Sequence, residues 1–319
     1  MQNINGYILK DDLVNDNAGT AKWGFAKKNG RDFFIKEFLS PVYPLDGTVL
    51  SKELILKKRQ ICDQFQSEKL AFYNVLNKCS TGNVVVIADF FRWESRYYIV
   101  TEKVDAAKME PDQISRLNFK QKVTIAKVIA HCMKSLHQHG IIHGDLKPTN
   151  ILFKETKSGM YTAKIIDFDS SFLESNPPTD EDLQGDMVYF APESFLFIAE
   201  EEGELTRKID IFALGIIFHQ YFCGELPKFD SSKYDYIFEA VLDGDGVELN
   251  KFIPDSVRLI ISKMLNVKPA FRPSIEEVFD MFNAIDTSDR PIGEVTDDRI
   301  NSGGTVVSRG PWQIAGDLD

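Results

Sequence analysis

The sequence predicts an α+β chain of two lobes, an antiparallel sheet with one long helix followed by a mostly helical part. Three observations carry this. Short runs rich in β-branched and aromatic residues fill the first hundred positions. One stretch among them, residues 51–78, has helical spacing. Beyond about residue 104 apolar residues recur at the helical period rather than the strand period.

In chain order, "GYILKDDL", "AKWGFAKK", "RDFFIKEFL", "NVVVIADFFRW" and "SRYYIVTEKV" read as strands. Asn29-Gly30 between the second and third is a two-residue hairpin signal, because both positions favour a positive φ. The insertion "SKELILKKRQICDQFQSEKLAFYNVLNK" places Leu70, Phe72, Tyr73 and Leu76 on one helical face. Next, "FKQKVTIAKVIAHCMKSLHQHG" is an amphipathic helix closed by Gly140, which suits a left-handed C-terminal cap. "ILFKETKSGMYTAKIIDF" has the pattern of a hairpin, and "IDIFALGIIFHQYF" reads as a buried helix. "SIEEVFDMFNAI" reads as a last surface helix. From Asp286 the chain turns polar, glycine-containing and aperiodic, as a tail or linker does. The divisions are 1–104, 105–285 and 286–319, with no internal repeat.

With 43% hydrophobic residues the chain can bury a substantial core. Its 37 basic and 48 acidic residues give a net charge of −11, which argues against nucleic-acid partners and anionic membrane surfaces. Cys62, Cys79, Cys132 and Cys223 are widely spaced and read as core residues of a reducing cytoplasm. The start "MQNINGYILKDDL" lacks the basic and apolar regions of a signal peptide, and no apolar run has membrane-spanning length. A cytoplasmic location is the expectation.

"IIHGDLKPTNILF" sets five polar or charged residues among apolar ones, and "AKIIDFDSS" follows shortly. Phosphoryl transfer requires this type of set: in-line positioning, metal-held phosphates and a carboxylate that orients the attacking hydroxyl. Asp145 can accept the hydroxyl proton, and Lys147 can meet negative charge on the moving phosphoryl. Asn150 and Asp167 offer the oxygen ligands that hard Mg2+ prefers. Lys36, in the strand "RDFFIK", is placed to pair with ATP phosphates and to be held by Glu68 on the inserted helix, with Glu53 the weaker alternative. His137, His139 and His143 lie at a helix end and its following loop, where His143 reads as a brace by hydrogen bonding rather than a zinc ligand.

These residues resemble those of the eukaryotic-like serine/threonine protein kinases of bacterial type, with "HGD" in place of the usual His-Arg-Asp. "HGDLKPTN" is similar to the catalytic loop, "DFD" to the magnesium-binding triplet, and "SEKLAFYNVLNK" to the helix that carries the lysine's glutamate partner. "GDMVYFAPE" resembles the end of the activation segment and "KIDIFALG" the buried helix, with Asp210 bracing the catalytic loop. "KPAFRPS" supplies Arg272 as partner of Glu193. The resemblance spans Tyr7 to Ile285 and implies a bilobal protein-kinase-like fold with ATP and Mg2+ as cofactors and a protein substrate. It implies Thr101 as gatekeeper and the backbones of Glu102 and Val104 facing adenine.

Several positions depart from the pattern. The nucleotide-covering loop keeps only Gly19, beside Asp16, which would repel phosphate. Gly144 stands where the family has arginine, Asp169 where the triplet has glycine, and Asp186 where the segment has threonine. With no arginine at 144, and with Glu174, Asp180, Glu181, Asp182 and Asp186 in the segment, activity is expected without phosphorylation of Ser170, Ser171 or Thr179. Arg207 or Lys208 is the other cation such a phosphate would need. Two alternatives stand beside the enzyme reading: a pseudokinase acting as a scaffold, and a small-molecule kinase of aminoglycoside or choline type. The Glu193 and Arg272 motifs favour a protein substrate over the latter. Trp312 and Ile314 mark the tail as a candidate docking element for a regulatory partner.

Overall fold

The computed structural model describes residues 2–15, 21–79, 82–106, 109–181, 183–201 and 203–288. They form two compact units that meet in sequence at Asp105 and Ala106. The first unit is built on six antiparallel strands: β1 (Asn3–Ile4), β2 (Tyr7–Leu9), β3 (Ala21–Lys28), β4 (Arg31–Phe38), β5 (Ile87–Trp93) and β6 (Arg96–Glu102). Their order across the sheet is β1-β2-β3-β4-β6-β5. Helix α1 (Lys52–Lys78) lies between β4 and β5 in the chain, and Ser51 caps it by accepting a hydrogen bond from Leu54 N at 3.2 Å. The turn between β3 and β4 is formed as the sequence predicts, with φ of 51° at Asn29 and 79° at Gly30.

Alternation along the strands divides this unit into two apolar layers. On one face Ile4, Tyr7, Leu9, Ala26, Ile35, Tyr98 and Val100 pack together. On the other, Phe38 and Tyr97 meet Phe65 of α1 at ring-centre distances of 5.5 and 5.2 Å, and Phe90 meets Tyr73 at 5.3 Å. Two strand boundaries differ from the sequence pattern. β2 stops at Leu9, where the charged Lys10-Asp11-Asp12 begins, and Val14 makes only an isolated bridge to Trp23. β5 starts at Ile87, although Val84 and Val85 before it are buried.

The second unit contains α2 (Pro111–Ser115), α3 (Phe119–Gln138), α4 (Pro192–Ile198), α5 (Lys208–Cys223), α6 (Ile237–Leu242), α7 (Asp255–Met264) and α8 (Ile275–Asn283). Four short strands accompany them: β7 (Ile141–Ile142) pairs with β10 (Phe172–Leu173), and β8 (Ile151–Glu155) with β9 (Tyr161–Ile165). The β8–β9 hairpin agrees with the sequence pattern, whereas β7 and β10 are too short to leave one. Helix α5 is apolar on all sides and buried on all sides, as such a helix must be. Gly224, at φ 85°, ends it in the left-handed conformation. Cys62, Cys79 and Cys132 are buried and Cys223 is half-buried, all four as free thiols. No described helix is long and apolar enough to cross a membrane.

Candidate active site

The loop after β7 is held from below by one carboxylate. Asp210, 1% exposed in the first turn of α5, accepts hydrogen bonds from His143 N at 2.9 Å and Gly144 N at 3.1 Å. Its Oδ2 also lies 2.9 Å from His137 Nε2 at the end of α3. A buried carboxylate is stable only with such donors, and here they fix the backbone of the loop. His143 is fully buried; its Nδ1 accepts from Asp145 N at 3.3 Å, so the proton sits on Nε2, which donates to Ile166 O at 3.1 Å. The aliphatic residues of "IIHGDL" have their explanation here: Ile141, Ile142 and Leu146 are buried anchors on either side of the polar groups.

The Asp145 carboxylate is oriented by three partners. Asp186 N donates to Oδ1 at 2.9 Å, while Lys147 Nζ at 3.0 Å and Asn150 Nδ2 at 3.3 Å meet Oδ2. Asn150 Nδ2 also donates to Asp145 O at 2.8 Å, which turns the Asn150 amide oxygen the other way, as a cation ligand requires. Ile166 N donates to Asn150 O at 3.0 Å, so the chain leaving β9 reaches Asp167 from a point fixed on Asn150. Asp167 itself adopts φ 63°, a strained setting for a residue other than glycine. Asn150 and Asp167 both carry side-chain oxygens, the ligand type that Mg2+ prefers. Among the described residues no cluster of three or more His, Cys, Asp or Glu side chains is arranged for a metal.

Gly144 is required where it stands. Its φ is 78°, and a Cβ there would lie 2.7 Å from Ser170 O. The segment after Asp167 therefore runs close against the backbone of the loop after β7, and the buried Ser171 seals it by donating from Oγ to His143 O at 2.7 Å. Asp186 caps a 3-10 turn at Met187–Tyr189 by accepting from Val188 N at 3.1 Å. Tyr189 donates to Gln220 Oε1 at 3.0 Å, and burial, aided by the Asp186 charge, raises its pKa and keeps the phenol neutral. Gly144, Asp145, Asp186, Tyr189, Phe190 and Ser194 line a shallow, open surface hollow.

Further along, Glu193 and Arg272 form a bidentate pair at 2.6 and 2.8 Å, 4% and 2% exposed. The guanidinium also donates to Asn266 O, Lys208 O and Val267 O. Neither cation named as an alternative phosphate partner stands idle. Arg207 is bound to Glu174, and Lys208 Nζ donates to Arg272 O at 2.5 Å.

In the first unit Lys36 is 4% exposed, in register with Trp23 and Ile99, on the sheet face that carries Phe34 and Phe38. The expected pairing with Glu68 is not formed. Glu68 is exposed and accepts a hydrogen bond from Gln64 Nε2 at 2.8 Å. The physical reason is helical phase: Phe65, Phe72 and Leu76 turn toward the sheet, and position 68 lies about 60° off the centre of that stripe. Glu53 is also exposed, in the first turn of α1. Thr101 is buried in β6, Glu102 ends that strand opposite Phe33, and Val104 follows it half-buried. Gly19, with Asp16, lies outside the described residues, as do Asp182, Trp312 and Ile314.

Sequence reasoning missed the structural part played by Glu174 and Ser171. Glu174 reads as one more member of an acidic run, and its partner is far along the chain, so no local pattern marks it.

Comparison with known proteins agrees with this geometry. The family description "Protein kinase domain" matches residues 48–282. The chain is 25% identical over 285 residues to protein kinase kin1 of Schizosaccharomyces pombe, covering 87% of this chain and 30% of that protein. It is 25% identical over 279 residues to the probable serine/threonine-protein kinase fhkC of Dictyostelium discoideum, covering 86% and 43%. Similarity to the ovarian-specific serine/threonine-protein kinase Lok of Drosophila melanogaster reaches 30% over 199 residues, covering 61% and 39%. The chain thus spans less than half the length of each of these relatives. With an N-terminal antiparallel sheet, a helical C-terminal part and a family match over most of its length, the chain has the bilobal kinase fold and belongs to the protein kinase domain family.

Proposed function

We propose that the chain is an ATP- and magnesium-dependent protein kinase that phosphorylates serine or threonine hydroxyls of protein substrates. The observation that carries this reading is the Asp145 carboxylate, aimed by Lys147, Asn150 and the Asp186 amide. Asp145 orients the acceptor hydroxyl and takes its proton as the oxygen bonds to the γ-phosphorus and the bond to the β,γ-bridging oxygen breaks. Lys147 offsets charge on the moving phosphoryl. Asn150 and Asp167 would hold magnesium, which when bound neutralises phosphate charge. Lys36 is assigned to the ATP phosphates, the backbones of Glu102 and Val104 to adenine, and Gly19 to the covering loop.

The lobes are assigned as 1–104 and 105–285, with 286–319 a tail that takes a regulatory partner, in a cytoplasmic protein. The formed Glu193–Arg272 pair supports a protein substrate over a small molecule, and the assembled Asp145 site supports catalysis over a scaffold role. The test is transfer from labelled ATP with magnesium to a basic general protein substrate, followed by identification of the phosphoamino acid. Label on serine or threonine is the expected result. No transfer to protein with retained nucleotide binding would overturn the enzyme reading in favour of a scaffold.

A further inference from the structure

We infer that Glu174 is a positioning residue, whose ion pair with Arg207 holds the catalytic loop and the start of the activation segment together. The inference rests on the proposed kinase reading and concerns how that site is kept assembled. Glu174 directly follows β10, and its backbone N donates to Gly140 O at 2.8 Å, just ahead of β7. Its carboxylate accepts from Arg207 backbone N at 3.0 Å, from Nε at 3.1 Å and from Nη2 at 2.5 Å. Arg207 then reaches back through Nη1 to His137 O at 3.1 Å, at the end of α3. One guanidinium therefore ties the segment to α3 and to the start of α5. That same α5 carries Asp210, which holds His143 N and Gly144 N.

The chemistry of the pair sets what it can do. Arg207 holds the Glu174 carboxyl below the usual carboxylate range, so the charge is present at neutral pH. The side chains are 44% and 25% exposed, and an ordinary pair at such exposure contributes little to global stability. This one is different in geometry, with two side-chain donors and a backbone amide converging on one carboxylate. Its effect is therefore local. Position 144 has no side chain to brace the segment, and the contact between Gly144 and Ser170 O persists only while the segment stays against the loop.

The experiment uses the full chain with Glu174→Gln, Arg207→Gln and the double variant. Backbone amides in 140–146 and 168–176 should exchange with solvent about tenfold faster in Glu174→Gln, while the global unfolding temperature moves by less than about 3 °C. In the active protein kcat should fall about tenfold with the KM for ATP unchanged, and the double variant should lose no more than either single one. Unchanged exchange in that stretch, additive losses in the double variant, or an unchanged kcat in an active protein would overturn the assignment. A wild-type protein that transfers no phosphate would defeat the kinase reading instead, and the exchange comparison would still decide the clamp.

Discussion

The two units differ in how tightly their functional residues are specified. In the second, the Asp145 carboxylate, the Asn150 amide and the Asp210 carboxylate all have partners, most within a short stretch of chain or in a buried core. In the first, Glu68 is exposed and bonded to Gln64 of its own helix, and the match to the kinase domain begins only at residue 48, after β4. The contrast has a physical origin. Holding a carboxylate or an amide in one orientation requires particular donors at particular distances, whereas a pleated sheet requires only the right alternation, which many sequences supply.

The largest effect that would sharpen this contrast is on stability. Arg272→Ala leaves the Glu193 carboxylate buried without its partner, and should cost about 3–5 kcal/mol, measured by chemical denaturation. A loss below about 1 kcal/mol would mean that the second unit is not locked as its bonds indicate. Next is Asp145→Asn, which keeps the shape and removes the basic oxygen. Turnover should fall at least about a hundredfold with ATP affinity retained. Near wild-type turnover would remove Asp145 from the mechanism. Asp167→Ala should then abolish the magnesium dependence of ATP binding in calorimetric titration, and binding equally strong with and without magnesium in the wild type would show that no metal works there.

Much of the second unit was legible in the sequence because its signals are local or periodic. "HGDLKPTN" packs its chemistry into eight residues, and α5 announces itself by being apolar all round. Arg272 and Glu193 were readable as partners only through the family resemblance, since 79 positions separate them. Glu174 was not readable as Arg207's partner, because nothing in an acidic run says which member will meet a cation. The two-residue strands β7 and β10 left no period to detect. Glu68 failed for another reason. A helix of 27 residues with aliphatic residues on several sides, the exposed Leu54, Leu56, Ile61 and Leu70 among them, admits more than one buried stripe, and the pattern alone did not fix which face meets the sheet.

That last point yields the smallest expected effect and the finest test of the contrast. Glu68 is exposed and, among the described residues, bonds to Gln64 one turn earlier, a pairing worth about 0.2–0.5 kcal/mol. Lys36 lies on the sheet face met by α1, yet the helix presents Phe65 and Lys69 there, with Lys69 Nζ 5.9 Å from the Phe38 ring. Bringing Glu68 to that face would require α1 to rotate by about 60°, which would pull Phe65 from its contacts with Phe38 and Tyr97. Glu68→Ala should therefore change kcat by less than about threefold and leave the unfolding midpoint nearly where it was. Lys36→Ala should slow turnover far more, with the fold intact. If Glu68→Ala and Lys36→Ala instead reduce kcat equally and without additivity, the two side chains act as a pair in the working enzyme, and α1 must turn to make it.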